Sequence, residues 1–321
     1  RQFADKMMRR LLGMIIPYAG RFRMMIALAR VGRLFSWMMP AALRAASTKI
    51  PAELKPFDWV GSPAAVFSPD KKPVKRVALL AGCAQRALDP EINASTIRVL
   101  NRLGVEVVVR SEVHCCGALA HHIGETDRAH HTVRAAVLAW YDEMKSGGLD
   151  AIVVNASGCG TMVKDYGHMM KDDAELAGIA KAVSDKCVDI SELLDNLDVE
   201  SILQSPPAEG RGKVAYHSAC SLQHGQKIHD LPLRLLRQSG FDVVQPLNGH
   251  LCCGSAGVYN ILQPEMADEL KARKLDSLDN TGAQFVAAGN IGCITQLNRK
   301  DLPVRHTIQF IDWATGGPNP R

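Results

Sequence analysis

With 321 residues, 47% of them hydrophobic and 22% charged, the chain can bury the cores of two ordinary domains and is not of a disordered class. The net charge of +5 is mild and unevenly spread: residues 1–50 carry ten Lys/Arg against a single acid, Asp5, which argues against a nucleic-acid surface on the body. No apolar run reaches the roughly 18 residues of a membrane span, and no secretory signal is present.

Residues 1–46 read as a basic helical arm. Met7, Met8, Leu11, Leu12, Ile15 and Ile16, then Met24, Met25 and Leu28, recur on one face, with Arg9, Arg10, Arg21, Arg23, Arg30 and Arg33 on the other. Such a stretch can lie on an anionic membrane, pack on a partner, or pack on the body of its own protein. Residues 47–74, rich in Pro and Lys without periodicity, read as a linker.

The remainder repeats itself. A first unit runs from Val77 to Cys83, through a helix over 91–103 and a strand over 105–109, to His114, Cys115, Cys116 and Gly117. A second runs from Val214 to Cys220 and on to His250, Cys252, Cys253 and Gly254, offset by 137 residues at the cysteines. Each unit closes with another apolar run and a lone cysteine, Cys159 and Cys293. Strands are expected at 76–81, 105–109 and 151–154, and helices at 91–103, 127–145 and 191–203. The strands are continuous apolar runs alternating with amphipathic helices, which implies parallel sheets joined by right-handed crossovers. The expected fold is therefore α/β: two pseudo-symmetric parallel-sheet βαβ cysteine-rich domains, 75–170 and 213–317, joined by bridging helices over 171–212.

Nine cysteines, an odd number with two adjacent pairs, do not fit a disulfide framework; they fit metal binding or redox chemistry. Each motif cysteine follows a strand, and ligands of open parallel sheets bind beyond the carboxyl ends of the strands. Cys83, Cys115, Cys116 and Cys159 are thus expected to share one crevice, and Cys220, Cys252, Cys253 and Cys293 another. Gly117 and Gly254 would allow close backbone approach to a cofactor. Adjacent cysteines suit an iron–sulfur centre or a thiol/disulfide couple better than structural zinc. Cys187, in the segment Lys186 to Ile190 that reads as a strand, is expected to be a buried thiol outside the repeat. His114, His250 and His217, the last three residues before Cys220, are candidates to orient, protonate or replace a thiolate.

The segments Leu79 to Gln85, Cys115 to Leu119, Asn155 to Gly160, Lys164 to Tyr166, Asp189 to Glu192, Cys252 to Asn260 and Asn290 to Cys293 together resemble the glycolate oxidase (glycolate dehydrogenase) iron–sulfur subunit family. That family belongs among proteins with cysteine-rich CCG domains. The resemblance implies an electron-transfer subunit carrying [4Fe–4S] clusters. FAD would sit in a partner subunit that oxidises glycolate or D-lactate, and electrons would pass toward quinone or another membrane acceptor. It implies FAD-binding partner subunits, no nucleic acid, and a cytoplasmic location, peripheral on the inner face of the membrane. The family's ferredoxin module, with its Cys-x-x-Cys-x-x-Cys run, is not in this sequence, so the chain is expected to be the portion C-terminal to it. The closing Cys-x-x-Cys of the general motif is also reduced, to Ala156-x-x-Cys159 and Asn290-x-x-Cys293. Each site is therefore left with four thiols. A thiol/disulfide module of the heterodisulfide reductase kind and a cofactor-free assembly scaffold are the alternatives.

Overall fold

In the computed structural model, residues 3–32, 60, 64–208 and 210–320 are described. Nine short strands form two sheets. The first has β1 (Ala65–Phe67), β2 (Lys75–Leu79), β3 (Val105–Val109), β4 (Ala151–Val154) and β5 (Cys187–Asp189), in the order β1-β3-β2-β4-β5. The second has β6 (Lys213–His217), β7 (Asp242–Val244), β8 (Phe285–Ala288) and β9 (Val304–His306), in the order β7-β6-β8-β9. All pairings are parallel except β1 with β3. Strand β4 is buried along its whole length, as is β8, because helices cover both faces. Helices Glu91–Arg102 and Thr126–Ser146 fall within a residue or so of their expected bounds.

The structure moves two boundaries. The segment expected as linker, 47–74, contains β1, an antiparallel edge strand; residues 33–59 of arm and linker lie outside the described residues. The stretch expected as bridging helices, 171–212, contains β5, which pairs with β4, so the first sheet extends past residue 170. The expected helix 191–203 is a helix Ile190–Asp195 followed by a 3-10 turn, Val199–Ile202. β5 and β9 are equivalent fourth strands, and each feeds a capped helix. Asp189 accepts from the Ser191 N–H while the Asp189 N–H donates to Glu192; His306 Nδ1 accepts from the Ile308 N–H while the His306 N–H donates to Gln309.

Those capped helices cross between the units. Thr307–Ala314 of the second packs on Glu91–Arg102 of the first, and Ile190–Asp195 of the first packs on Leu231–Gln238 of the second. This reciprocal exchange is the pseudo-two-fold relation in physical form, and one continuous core runs through both units. In the first pairing Asp312, fully buried, accepts from Arg98 (3.0 and 2.5 Å) and Arg102 (2.7 Å). Its counterpart, Arg234 with Asp195, is at the surface.

The basic arm forms two helices, Phe3–Ile15 and Ala19–Gly32, bent by 118°. No single helix among the described residues is long and apolar enough to cross a membrane. Among the described residues the arm packs on the body. Leu12 and Ile16 bury against Ile123 and Val258, with Leu119, Ile261 and Leu262 around them. Arg128 donates to Gly13 O at 2.8 Å, and Arg23 donates to Ala87 O at 3.1 Å.

Candidate redox site: two thiol quartets

Each cysteine stands where a strand ends and a helix begins. Cys83 caps the short helix Ala84–Leu88 after β2, and Cys115 and Cys116 lead through Gly117 into Ala118–Ile123 after β3. Cys159 lies in the first turn of Ser157–Lys164 after β4. Cys220, Cys252, Cys253 and Cys293 repeat this placement after β6, β7 and β8. All nine cysteines are free thiols.

Within each unit the thiols touch in the same sequence. Cys115 Sγ lies 3.6 Å from Cys83 Sγ, and Cys116 is bracketed by Cys115 and Cys159. Cys252 is bracketed by Cys220 and Cys253, and Cys253 Sγ lies 3.2 Å from Cys293 Sγ. The geometry thus brings together the two quartets of thiols expected from the repeat. Cys187 stays outside both: it is buried in β5, and desolvation pushes its thiol up to about 12.

The glycines after the pairs have a geometric duty. Gly117 (φ 84°) and Gly254 (φ 87°) sit in the left-handed region, and their N–H groups donate to Cys115 Sγ (3.4 Å) and Cys252 Sγ (3.3 Å). Such N–H donation favours the thiolate and tunes whatever it binds. Both glycines reach sulfur through the backbone N–H.

A buried amide network, of which the sequence yields only the individual residues, fixes the first quartet. Gln85 donates to Asn93 (2.8 Å) and Asn155 (2.7 Å), and Asn155 donates to Thr96 (2.9 Å). Asn93 donates in turn to Ala81 O at 2.9 Å. The segments carrying Cys83 and Cys159 are thereby tied to one helix. Tyr166, fully buried, donates to Cys116 O at 2.9 Å and pins the cysteine pair from below.

The electrostatics of the two quartets differ. In the first, contact with Cys83's neighbour Cys115 and burial push the Cys83 thiol well up, and contact with Cys116 pushes Cys115 up to about 12. In the second, contact with Cys252 and burial push Cys220 up, and contact with Cys252 and Cys293 pushes Cys253 up. Contact with Cys220 holds Cys252 down, and contact with Cys253, with His217 nearby, holds Cys293 down. His217 is buried and its ligand nitrogen, Cys253 Sγ and Cys293 Sγ all lie within 4.8 Å of one another. Among the described residues neither ring nitrogen makes a hydrogen bond of good geometry, although the ring faces the Cys293 thiol. Of the three histidine candidates, therefore, His217 joins the site. His114 instead stacks on Tyr18 of the arm, 5.3 Å between ring centres, and His250 is exposed.

The donor sets fit a soft metal centre. In the first unit the thiols adjoin one another in a row, and in the second His217, Cys253 and Cys293 converge within 4.8 Å. In both a backbone N–H points at sulfur. A bound metal would satisfy the buried imidazole.

The two quartets are neighbours. Ser157 Oγ and Ser221 Oγ are 2.7 Å apart, joining the helix of Cys159 to the turn that follows Cys220. Reciprocally, helix Ile291–Leu297, with Cys293, packs on Ala84–Leu88, which follows Cys83. The arm covers the helices that follow both Cys-Cys-Gly turns, Ala118–Ile123 and Tyr259–Leu262.

Two strand-end thiol quartets on a duplicated α/β frame define a cysteine-rich redox or metal-holding protein. The CCG family, described as a cysteine-rich domain, matches residues 77–164 and 214–298. The glycolate oxidase iron–sulfur subunit of Escherichia coli (strain K12) is 36% identical over 98% of this chain and 73% of its own length. The probable glycolate oxidase iron–sulfur subunit of Bacillus subtilis (strain 168) is 30% identical over 81% of this chain, which spans 57% of that protein. Lactate utilization protein A of Anoxybacillus flavithermus is 26% identical over 71% of the chain. A crystal structure of a hypothetical protein from Helicobacter pylori shares the fold, with a TM-score of 0.52 and 13% identity over 91% of this chain and 57% of that one. The chain belongs to the cysteine-rich domain family, within its glycolate oxidase iron–sulfur subunit branch.

Proposed function

We propose that this chain is the iron–sulfur electron-transfer subunit of a flavin-dependent dehydrogenase acting on glycolate or a related 2-hydroxy acid such as D-lactate. The observation that carries this reading is the pair of unbridged thiol quartets, with Sγ contacts of 3.6 and 3.2 Å, at the carboxyl ends of two equivalent sheets. The names of the relatives from E. coli and B. subtilis support the substrate class.

Cys83, Cys115, Cys116 and Cys159 would hold one centre, and Cys220, Cys252, Cys253 and Cys293 the other. A bound iron–sulfur centre, of the [4Fe–4S] type by family resemblance, supplies one-electron exchange. The chain's own residues position the thiolates, donate backbone N–H groups from Gly117 and Gly254, and keep water from the inner cysteines. Cys115, Cys116, Cys253 and Cys293 are buried, whereas Cys83, Cys159, Cys220 and Cys252 face partly outward. That exposure suits electron exchange and not substrate chemistry, which we place on FAD in a partner subunit. Quinone at the inner face of the cytoplasmic membrane is the proposed acceptor. The thiol/disulfide alternative needs an accessible nucleophilic thiolate; Cys252, partly exposed and held down by contact with Cys220 and Cys253, is its candidate, and iron uptake separates the two readings.

Anaerobic reconstitution should yield bound iron and inorganic sulfide that fall when Cys116→Ser and Cys253→Ser are introduced. A chain that takes up no iron yet assembles with its flavin partner would refute the reading in favour of a scaffold.

A further inference from the structure

The two quartets are built alike, but their surroundings are not. His217 ends β6 three residues before Cys220; the equivalent position in the first unit, three residues before Cys83, is Leu80. Both side chains are buried, at 1% exposure each. Leu80 packs into the apolar core of its unit, whereas His217 makes no hydrogen bond of good geometry among the described residues and faces Cys253 and Cys293.

A second exchange lies one helix away. Gly254 abuts Ala267 O in helix Pro264–Asp279, as Gly117 abuts Ala129 O in helix Thr126–Ser146, so Ala267 and Ala129 are equivalent. Seven residues further along, the first helix has buried Ala136 and the second has buried Lys274. Lys274 Nζ donates to Asn248 O (3.2 Å) and Gly249 O (3.1 Å), in the loop that leads into Cys252. Burial pulls its pKa down, and Cys253, Cys293 and Cys252 are the negative groups within reach that oppose this. A fully buried ammonium is costly unless matched by negative charge, and a thiolate-held centre is such a charge.

We propose that His217 replaces one of the four thiols as a ligand of the second centre, beside Cys253 and Cys293, and that, with Lys274 near it, this centre has a higher reduction potential than the first. This inference rests on the iron–sulfur reading above. A neutral imidazole adds no negative charge where each thiolate adds one, and a nearby cation favours the state with one more electron. Histidine ligation raises the potential of iron–sulfur centres in general. An electron shared between the two sites would then reside at the second.

The test uses the reconstituted full chain grown with 15N-histidine. Pulsed electron paramagnetic resonance of the reduced centres should show strong 15N coupling in the unsubstituted protein. The coupling should persist in Cys116→Ser, which isolates the second centre, and vanish in His217→Leu. Potentiometric titration should place the second centre above the first, shifting it downward in His217→Leu and Lys274→Met with the first unmoved. Iron and sulfide present at both sites without 15N coupling, or with the first centre the more easily reduced, would overturn this inference and leave the functional reading standing. Iron absent from both sites overturns the functional reading, and this inference with it.

Discussion

Replacing Gly254 by alanine tests whether the Cys-Cys-Gly turn is held by close backbone approach. An alanine at φ 87° would bear a left-handed strain of about 1–2 kcal/mol. Its Cβ would fall 2.5 Å from Ala267 O and 3.2 Å from Ala267 C and Cα, all backbone, so the helix or the turn must shift. Overpacking of that kind costs about 1–3 kcal/mol. Reduced freedom of the unfolded chain returns about 0.4–1 kcal/mol. The net expectation is a loss of about 2–4 kcal/mol. The Gly117→Ala change is the internal control. There the Cβ would meet Val133 Cγ2 at 3.3 Å, which side-chain adjustment relieves, and Ala129 O at 3.4 Å, an ordinary van der Waals contact, so about 1 kcal/mol is expected. Urea unfolding followed by circular dichroism gives both values, and the rate of thiol labelling by a disulfide reagent reports on Cys252 and Cys253. If Gly254→Ala loses no more stability than Gly117→Ala, and its second-site thiols label no faster, close packing on Ala267 is not what shapes the turn.

Two further predictions concern the contacts between and around the units. Asp312→Ala leaves Arg98 and Arg102 without their buried carboxylate; because both arginines retain access to water, a loss of about 3 kcal/mol is expected in urea unfolding. Arg234→Ala, the pseudo-symmetric surface pair, should cost about 0–1 kcal/mol, and equal losses would refute the distinction. Desolvation raises Asp189 from 3.8 to about 6, so the native state binds the extra proton and stability falls as pH rises from about 4 to 6. Desolvation lowers His306 from 6.5 to about 4, so its contribution is present above about 6.5 and is lost as pH falls through about 4. The two slopes oppose each other over one window. Asp189→Asn keeps the helix cap and removes one slope, so its stability should rise relative to the parent by up to about 3 kcal/mol between pH 4 and 7. Denaturation curves that run parallel across that range would refute it.

The strands β2, β3 and β4 and the helices between them were legible because their signals are local. Continuous apolar runs, helical periodicity and a cysteine after each strand are properties of ten to thirty consecutive residues. The quartets were legible for the same reason, since a parallel β-α-β step returns the chain to the same sheet edge and gathers residues that follow successive strands. Edge strands were harder. β1 lies in a segment without periodicity, and it is a strand because β3 offers it a free edge. β5 is three residues long; it reads as a strand around Cys187, but only β4 beside it shows that it belongs to the first sheet.

His217 is the instructive case at the site. It was one of three histidines near cysteines, and nothing in its immediate neighbours separates it from His114 or His250. Laying the repeats over each other does separate it, because the matching position is Leu80, and a histidine on a core-facing strand needs partners. Lys274 shows no such signal: it looks like one more basic residue on a charged helix, and only the placement of that helix against the Cys252 turn buries it.

The sequence by itself determined the duplicated cysteine unit, the α/β class, the two quartets and the family, because all of these depend on spacing along the chain. Tertiary structure alone decided how the units exchange their last helices, that the basic arm lies over both Cys-Cys-Gly turns, and that one quartet is lined by His217 and Lys274 where the other is lined by leucine and alanine. Those features depend on which distant surfaces meet. Burial, which turns an ordinary histidine or lysine into part of a site, comes into being only when they do.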